Sequence, residues 1–178
     1  MDDEIRKIIP CIDIKDGKAV KGVNFEGVKL VGSIVDLAQK YADDGADEIV
    51  LLDISATIEN RKNNLKWIEE TIQKVDANFT VGGGISSVED AQILFEMGAK
   101  KVSISSAALN NPDLINELVT KFSSNSVVVA IDAKQVDGVW MVFQSAGTVN
   151  SNRTLVAWAK EAEDRGAGAI LFTSIDHD

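Results

Sequence analysis

The sequence is poor in the residues that build disulfides and metal sites. Its 178 residues include one cysteine, Cys11, and one histidine, His177. A lone cysteine forms no disulfide within the chain, and these two residues do not make up the ligand cluster of a zinc site. Asp176 and Asp178 flank the histidine, but two carboxylates are a weak signal for a cation. We therefore expect no disulfide and no bound metal.

Other features that the sequence lacks narrow the range of its possible functions and locations. No apolar run approaches the roughly 20 residues that cross a membrane, and the first residues, MDDEIRK, do not resemble a signal peptide, so we expect a cytoplasmic protein. The longest basic cluster is Arg61-Lys62, and the net charge of −10 disfavours nucleic acid and membranes as partners. Neither a Rossmann fingerprint nor a P-loop is present, and we expect no cofactor.

Two apolar runs each end in an aspartate that is followed by turn residues. Ile8–Ile12 precedes Asp13, and Val127–Ile131 precedes Asp132. Each pattern predicts a buried strand with a carboxylate at its C-terminal end. Two carboxylates in different environments can hold different protonation states, which suits general acid/base catalysis. A single aspartate at a strand end is usually structural, but two in a repeated phrase favour catalysis.

Continuous apolar runs alternate with helical patterns along the whole chain. Runs without polar alternation indicate strands that are buried on both faces, as in parallel sheets. The sequence has six such strand segments, in order Ile8–Ile12, Ile49–Asp53, Phe79–Val81, Lys101–Ser105, Val127–Asp132 and Ala169–Thr173. Strict alternation of strands and helices predicts an α/β protein with a parallel sheet.

Part of the sequence recurs. Asp13 and Asp132 are separated by 119 positions, and Gly45-Ala46 and Gly166-Ala167 by 121. We therefore predict an internal repeat that starts near residue 8 and again near residue 127. Two halves that close on each other make a barrel, but six strands are two short of a (βα)₈ barrel, which typically takes about 250 residues. We expect a single domain over residues 1–178, an incomplete TIM-type barrel with six parallel strands.

Glycines and hydroxyl groups follow two of the predicted strands. Gly82-Gly83-Gly84 precedes a helix and offers bare backbone N–H groups, which suit a phosphate, although a tight strand-to-helix turn needs the same residues. Ser105-Ser106 adds hydroxyl donors after the next strand. Lys21 lies in the first loop and is a candidate to contact an anionic substrate, while most loop lysines are only solvated.

Six segments closely resemble the cyclase subunit of imidazole glycerol phosphate synthase, an enzyme family of histidine biosynthesis. They are IIPCIDIKDGKAVKGVNF, DEIVLLDISA, FTVGGGI, KVSISSAA, VVVAIDAK and GAILFTSID. The resemblance extends over essentially the whole chain. It implies a (βα)₈ barrel of two half-barrel repeats and a lyase that uses ammonia from a partner glutaminase. The implied reaction converts a bis-phosphate, a phosphoribulosyl-formimino aminoimidazole carboxamide nucleotide, into imidazole glycerol phosphate and AICAR.

The resemblance also implies roles for particular residues. Asp13 and Asp132 match the acid/base pair for ring closure, and Lys21 matches a mobile lysine of the first loop. The implied substrate- and phosphate-binding residues are Lys21, Asp53, Gly83, Gly84, Ser105, Ser106, Thr173 and Asp178.

The chain departs from the family pattern at its end. It stops at Asp178, just after the sixth predicted strand, so we expect the last two βα units and most of a second phosphate site to be missing. Ser105 stands where the family usually has asparagine, and His177 where it usually has arginine.

A second set of departures concerns the glutaminase side. Lys7, Glu48 and Lys101 match a charged ring that gates the ammonia channel of the family, but Ala169 replaces a glutamate of that ring. Lys100 also replaces an acidic residue near the glutaminase contact. These changes weaken the case for a tight complex with a glutaminase.

Two alternatives to an active cyclase stay open. One is a folded barrel fragment that binds or assembles without catalysis. The other is the sister isomerase of the same pathway, although the DIKDG and AIDAK phrases favour the cyclase. Open edges at Ile8–Ile12 and Ala169–Thr173 would expose unpaired backbone groups, so we also expect a homo-oligomer, plausibly with two-fold symmetry.

Overall fold

The computed structural model describes residues 6–23, 27–55 and 65–177. Its strands are β1 (Cys11–Lys15), β2 (Lys18–Val23), β3 (Gly27–Gly32), β4 (Glu48–Asp53), β5 (Asn78–Gly82), β6 (Lys101–Ile104), β7 (Val127–Val136), β8 (Val139–Gln144), β9 (Val149–Thr154) and β10 (Ala169–Ser174). Its helices are α1 (Ile34–Asp43), α2 (Leu65–Lys74), α3 (Val88–Glu96), α4 (Ser106–Asn110), α5 (Asp113–Phe122) and α6 (Leu155–Asp164).

The described part of the chain forms one sheet of ten strands, most of which pair in parallel. The parallel pairings run in the order β1, β4, β5, β6, β7 and β10. The predicted α/β class with a mostly parallel sheet is therefore confirmed. The predicted number of six strands was too low, because β2, β3, β8 and β9 add antiparallel pairings after β1 and β7. β2, β3 and β9 lack a continuous apolar run that would mark them in the sequence, whereas β8 (VWMVFQ) has one.

The two antiparallel extensions have the same construction. Each begins with a tight hairpin whose turn is an aspartate followed by a glycine, Asp16-Gly17 after β1 and Asp137-Gly138 after β7. The φ angles are 50° and 72° in the first turn, and 51° and 79° in the second. Positive φ at both central residues is the requirement of a type I′ turn, which Asp-Gly satisfies with little strain. In both extensions a third strand then leads directly into a helix, α1 or α6.

The hydrophobic core lies between one face of the sheet and the helices. Strand residues of that face are fully buried, among them Ile12, Leu51, Phe79 and Ile131. Trp158 of α6 is 1% exposed and packs in the same core. Because side chains alternate across a strand, every second residue of the same strands points to the opposite face of the sheet, where the polar residues of interest lie.

The first strand begins later than the sequence predicts. β1 starts at Cys11, and Ile8 and Ile9, which were expected in the strand, are 87% and 42% exposed. Pro10 explains the shift, since proline has no N–H to donate to the ladder. Its carbonyl oxygen still accepts a hydrogen bond from Val50 N at 2.8 Å, which fixes the position of β1 against β4.

We expect truncation of a core side chain to lower the free energy of unfolding strongly. Leu51→Ala should cost about 2–5 kcal/mol, because it removes buried methyl groups and leaves a cavity, and Ile49→Val about 1 kcal/mol. Val156→Ala is the matched control, since Val156 is 78% exposed; it should change stability by less than about 0.5 kcal/mol. Urea unfolding monitored by circular dichroism measures all three. Equal effects of Leu51→Ala and Val156→Ala would contradict this core.

Candidate active site at the carboxyl ends of the strands

Asp13 and Asp132 occupy equivalent positions on two strands. Asp13 lies between the buried residues Ile12 and Ile14, and Asp132 lies between the buried Ile131 and Ala133. Both aspartates are partly exposed. Strand alternation therefore directs both carboxylates away from the helices, to the face opposite the hydrophobic core.

The register of the parallel strands relates the two aspartates to each other. Successive pairings join Asp13 to Leu52, Leu52 to Gly82, Gly82 to Ser103, and Ser103 to Val128. Asp132 lies four residues beyond Val128 on β7. Since four is an even number, strand alternation directs the side chain of Asp132 to the same face of the sheet as Val128 and Asp13.

Other predicted residues lie shortly beyond the paired positions. One residue beyond Leu52 is Asp53, two beyond Gly82 is Gly84, and three beyond Ser103 is Ser106. Five of the ten predicted site residues therefore lie on five neighbouring strands or directly after them. They are Asp13, Asp53, Gly84, Ser106 and Asp132.

Thr173 lies beside the second aspartate. It pairs in register with Asp132 across the parallel β7–β10 ladder, so both side chains are on the same face of the sheet. The Thr173 side chain is partly buried. A hydroxyl group adjacent to a carboxylate can donate a hydrogen bond either to it or to a bound ligand.

The side chain of Asp53 is hydrogen-bonded within the segment that follows β4. Its side chain is 2% exposed and accepts hydrogen bonds from Ser55 N at 3.0 Å and from Ser55 Oγ at 2.7 Å. Asp53 also shares the face of Leu51, which packs in the core, whereas Asp13 and Asp132 are on the other face. The geometry is that of a residue that fixes the turn after β4.

The glycines after β5 are required by the backbone. Gly83 and Gly84 have φ angles of 99° and 67°, a region that side chains disfavour. A Cβ atom on Gly83 would lie 2.2 Å from the carbonyl oxygen of Asp53. The chain after β5 therefore passes directly over the end of β4.

Ser106 is held by a turn that follows β8. Ser145 N donates a hydrogen bond to Ser106 Oγ at 3.1 Å. An oxygen that accepts this bond still has its own proton to donate, so the Ser106 hydroxyl keeps a donor for an anion. Ser105 precedes helix α4, and its side chain makes no capping hydrogen bond.

The contacts described do not relate two of the predicted site residues, Lys21 and Asp178, to the others. Lys21 lies on β2, exposed, and pairs directly with Lys29 on β3. Like charges at directly opposed positions repel each other, so an anion bound near Lys21 would reduce this repulsion. Asp178 lies outside the described residues.

The sequence did not identify three polar residues near the same end of the sheet. Ser145 contacts Ser106 as described, and Gln144 Oε1 and Ser174 Oγ are buried without a hydrogen-bond partner among the described residues. Buried polar atoms without partners are costly, and Ser174, which pairs with the buried Ala133, is on the core-facing side of β10, away from Asp132. The glycine-containing segment QSAGT, residues 144–148 at the end of β8, is the feature of the sequence that indicates a turn here.

A second polar cluster lies at the amino ends of the strands. Lys101 Nζ contacts both oxygens of Glu48, at 2.9 and 2.8 Å, and Thr80 Oγ1 donates to Glu48 Oε1 at 2.7 Å. Burial alone would raise the pKa of Glu48, but hydrogen bonds from Lys101 and Thr80 and the charges of Lys101 and Lys7 outweigh it. The pKa of Glu48 is therefore lowered below its ordinary value of 4.5.

Comparisons with known proteins identify the family of this chain. The family model described as "Histidine biosynthesis protein" matches residues 7–178. The imidazole glycerol phosphate synthase subunit HisF of Flavobacterium psychrophilum is 56% identical over 97% of this chain and 69% of its own length. HisF of Natranaerobius thermophilus is 52% identical over the same shares. HisF of Thermotoga sp. strain RQ2 is 50% identical over 97% of this chain and 68% of its own.

These matches define a histidine-biosynthesis protein with an α/β fold. The chain belongs to the HisF family, the cyclase subunits of imidazole glycerol phosphate synthase. Over residues 6–23, 27–55 and 65–177, no helix is long and apolar enough to span a membrane. The same residues contain no cluster of three or more histidine, cysteine, aspartate or glutamate side chains placed to hold a metal ion.

Gly83→Ala should disturb the turn that joins β5 to the site. Gly138→Ala is the matched control, because Gly138 also has a positive φ of 79° but a Cβ there would meet nothing within 4 Å. The backbone conformation alone should cost about 1–2 kcal/mol in either variant. The contact with Asp53 should add about 1–3 kcal/mol in Gly83→Ala. Urea unfolding of both variants isolates the difference, and equal losses would show that the close approach is absent.

The Glu48–Lys101 pair should make stability depend on pH. Because the folded-state pKa of Glu48 is lowered, the ionised carboxylate contributes stability that is present above pH 4.5 and is lost as the pH falls through the lowered value. Glu48→Gln should therefore be less stable than the parent at neutral pH, and this difference should shrink in acid. Glu117→Gln, at an exposed position of α5, is the control. A difference between parent and Glu48→Gln that stays constant with pH would contradict the pair's role.

Proposed function

We propose that this chain has the cyclase activity of the HisF family. It would combine ammonia with a phosphoribulosyl-formimino aminoimidazole carboxamide nucleotide and form imidazole glycerol phosphate and AICAR. The observation that supports the proposal is the strand register, in which Asp13 and Asp132 share the face of the sheet opposite the core. Two carboxylates there can divide the work of acid and base.

In the proposed mechanism, one aspartate accepts a proton and the other donates one during ring closure. A carboxylate next to the attacking nitrogen removes its proton, and a carboxylic acid protonates the leaving group. The partly exposed environments of Asp13 and Asp132 leave both accessible to substrate. Thr173, in register with Asp132, is placed to orient the substrate or this carboxylate.

We propose that one phosphate of the substrate binds beside the aspartates. The N–H groups of Gly83 and Gly84 and the hydroxyl groups of Ser105 and Ser106 are its donors. Both glycines have positive φ and no side chain, so their backbone N–H groups are open to a close approach by an anion. Lys21 would add a positive charge from the first hairpin. Asp53 would hold the loop, and Asp178 remains a predicted contact.

The sheet is proposed to be the six-stranded parallel part of a (βα)₈ barrel in a single domain. The order of a strand, a hairpin strand, a third strand and a helix occurs from β1 to α1 and again from β7 to α6. Equivalent Asp-Gly turns in both copies support a half-barrel repeat that starts near residues 8 and 127.

We propose that ammonia enters from the amino ends of the strands, supplied by a glutaminase subunit. The Glu48–Lys101 pair lies at that end, on the same face as Asp13 and Asp132. Ala169 lies at the corresponding start of β10 and adds no charge there, and Lys100 leaves the rim more basic. These two residues favour a loose association with the glutaminase.

Self-association is a further part of the proposal. β10 is the last strand of the parallel series and is bonded to β7 alone among the strands described. A homo-oligomer stays a prediction, because strand edges in general can pair with another chain. We retain the cytoplasm as the predicted location.

The carboxylate mechanism is tested with ammonium salts as the nitrogen source. Asp13→Asn and Asp132→Asn should each lower kcat by about 10²–10⁴-fold, the usual contribution of one acid or base. Asp137→Asn is the matched control, because it makes the same change in the Asp-Gly turn of the β7–β8 hairpin and asparagine tolerates that φ of 51°. Steady-state turnover of the nucleotide substrate is the measurement.

The outcomes separate the alternatives. Folded parent protein that binds the substrate without turnover would favour the non-catalytic fragment over the cyclase. Turnover of the sister isomerase's substrate alone would favour the isomerase. A parent that turns over while Asp132→Asn retains full activity would remove the two-carboxylate mechanism.

A further inference from the structure

A lysine follows each aspartate of the proposed catalytic pair by two positions. The sequence reads IDIK over residues 12–15 and IDAK over residues 131–134. Lys15 and Lys134 are 119 positions apart, which is also the separation of Asp13 and Asp132. The two lysines therefore occupy equivalent positions of the repeat, and the proposed mechanism gives neither of them a role.

The strands direct both lysines to the face of the sheet that carries the aspartates. Lys15 follows the buried Ile14 on β1, and Lys134 follows the buried Ala133 on β7. Because successive side chains point to opposite faces, each lysine shares the face of the aspartate two positions before it. Two residues of a strand span about 6.8 Å, so each lysine lies about that far beyond its aspartate, toward the carboxyl end of the strand.

An aromatic ring on this face holds Lys134. Its Nζ atom lies 4.5 Å from the centroid of the Phe143 ring. Phe143 pairs in register with Asp132 on the β7–β8 ladder, so the ring and the carboxylate are neighbours on one face. A cation over an aromatic ring is attracted by the negative face of the ring. The contact therefore keeps the ammonium group over the residue directly opposite Asp132.

Lys15 has a different neighbour. It pairs directly with Lys18 across the first hairpin, so two positive charges oppose each other on the face of Asp13. Like charges at such positions destabilise a sheet. An anion bound next to both ammonium groups would offset their repulsion. The arrangement is therefore unfavourable for the protein alone and favourable for its complex with an anion.

We infer that Lys15 and Lys134 are binding residues for a phosphorylated ligand, one on each of the two strands that carry the aspartates. The inference rests on the proposed function, because the substrate of that reaction carries two phosphate groups. The net charge of −10 and the two carboxylates repel such a ligand, and the ammonium groups offset this repulsion on the face where the carboxylates lie. The neutral donors after β5 and β6 act at short range, and the lysines add the attraction of a full charge.

Isothermal titration calorimetry with the nucleotide substrate tests the inference, without ammonium salts so that the substrate binds but is not converted. Lys15→Gln and Lys134→Gln should each raise the dissociation constant about three- to tenfold at low salt. The difference from the parent should shrink at about 1 M salt, because salt screens the attraction between charges. Lys15→Arg and Lys134→Arg keep the charge and should retain binding.

Two controls separate ligand binding from a structural role. Lys121→Gln is the matched control for Lys134→Gln, because Lys121 Nζ lies 5.3 Å from the centroid of the Phe122 ring on α5, outside the sheet. This control should leave the dissociation constant unchanged. Lys15→Gln should weaken binding without lowering the free energy of unfolding in urea, since it removes a repulsion within the hairpin. A lysine with a structural role alone would lose stability as well.

Each result decides the inference. Weaker binding in both glutamine variants, with binding retained in the arginine variants, supports it. Dissociation constants that stay at the parent value in both glutamine variants overturn it, whether or not the parent turns over. Equal losses in the arginine variants overturn the role of charge. A parent that binds the nucleotide without turnover on addition of ammonium salts contradicts the proposed cyclase alone, and a parent that does not bind the nucleotide overturns both.

Discussion

The register of the parallel ladder determines which residues of this protein can act together. Each pairing is fixed by backbone hydrogen bonds and by the burial of one face, since a slip by one residue would expose Ile12, Leu51 and Phe79 to water. With this register fixed, four pairings lead from Asp13 to Val128, and Asp132 follows four residues later on the same face of the sheet. Gly83, Gly84 and Ser106 follow the ends of β5 and β6.

The hairpins after β1 and β7 give the two aspartates similar surroundings. Each hairpin pairs with the carboxyl half of its strand, at Asp13–Val20 in the first and Asp132–Phe143 in the second. An aspartate in the middle of such a three-strand arrangement is held by ladders on both sides, because β4 and β10 pair with the other edges. Catalytic groups on paired strands are positioned more rigidly than groups on loops.

The sequence predicts those features that depend on local burial patterns. Continuous apolar runs identify the parallel strands, and the aspartates that end them are visible as breaks in the runs. The sequence does not reveal the strands KAVKGV and VNSNRT, because residues of each strand are exposed to solvent. Their pairing is decided by the neighbouring strand. The contact of Ser145 with Ser106 joins residues 39 positions apart, so only tertiary structure brings them together. Asp53 was expected near the ligand, but a local bond to Ser55 directs its carboxylate into the loop.

The distribution of charge explains how an acidic chain can accept a phosphorylated substrate. Lys101 is neutralised by Glu48 at the amino ends of the strands, so it adds little attraction for an anion at the opposite end. Asp13 and Asp132 make the carboxyl end still more negative. The proposed phosphate site therefore relies on neutral donors, the backbone N–H groups of Gly83 and Gly84 and the hydroxyl of Ser106, supplemented by Lys21. The turn that contains Gly83 passes over Asp53, so a side chain at position 83 would disturb both this turn and the proposed site.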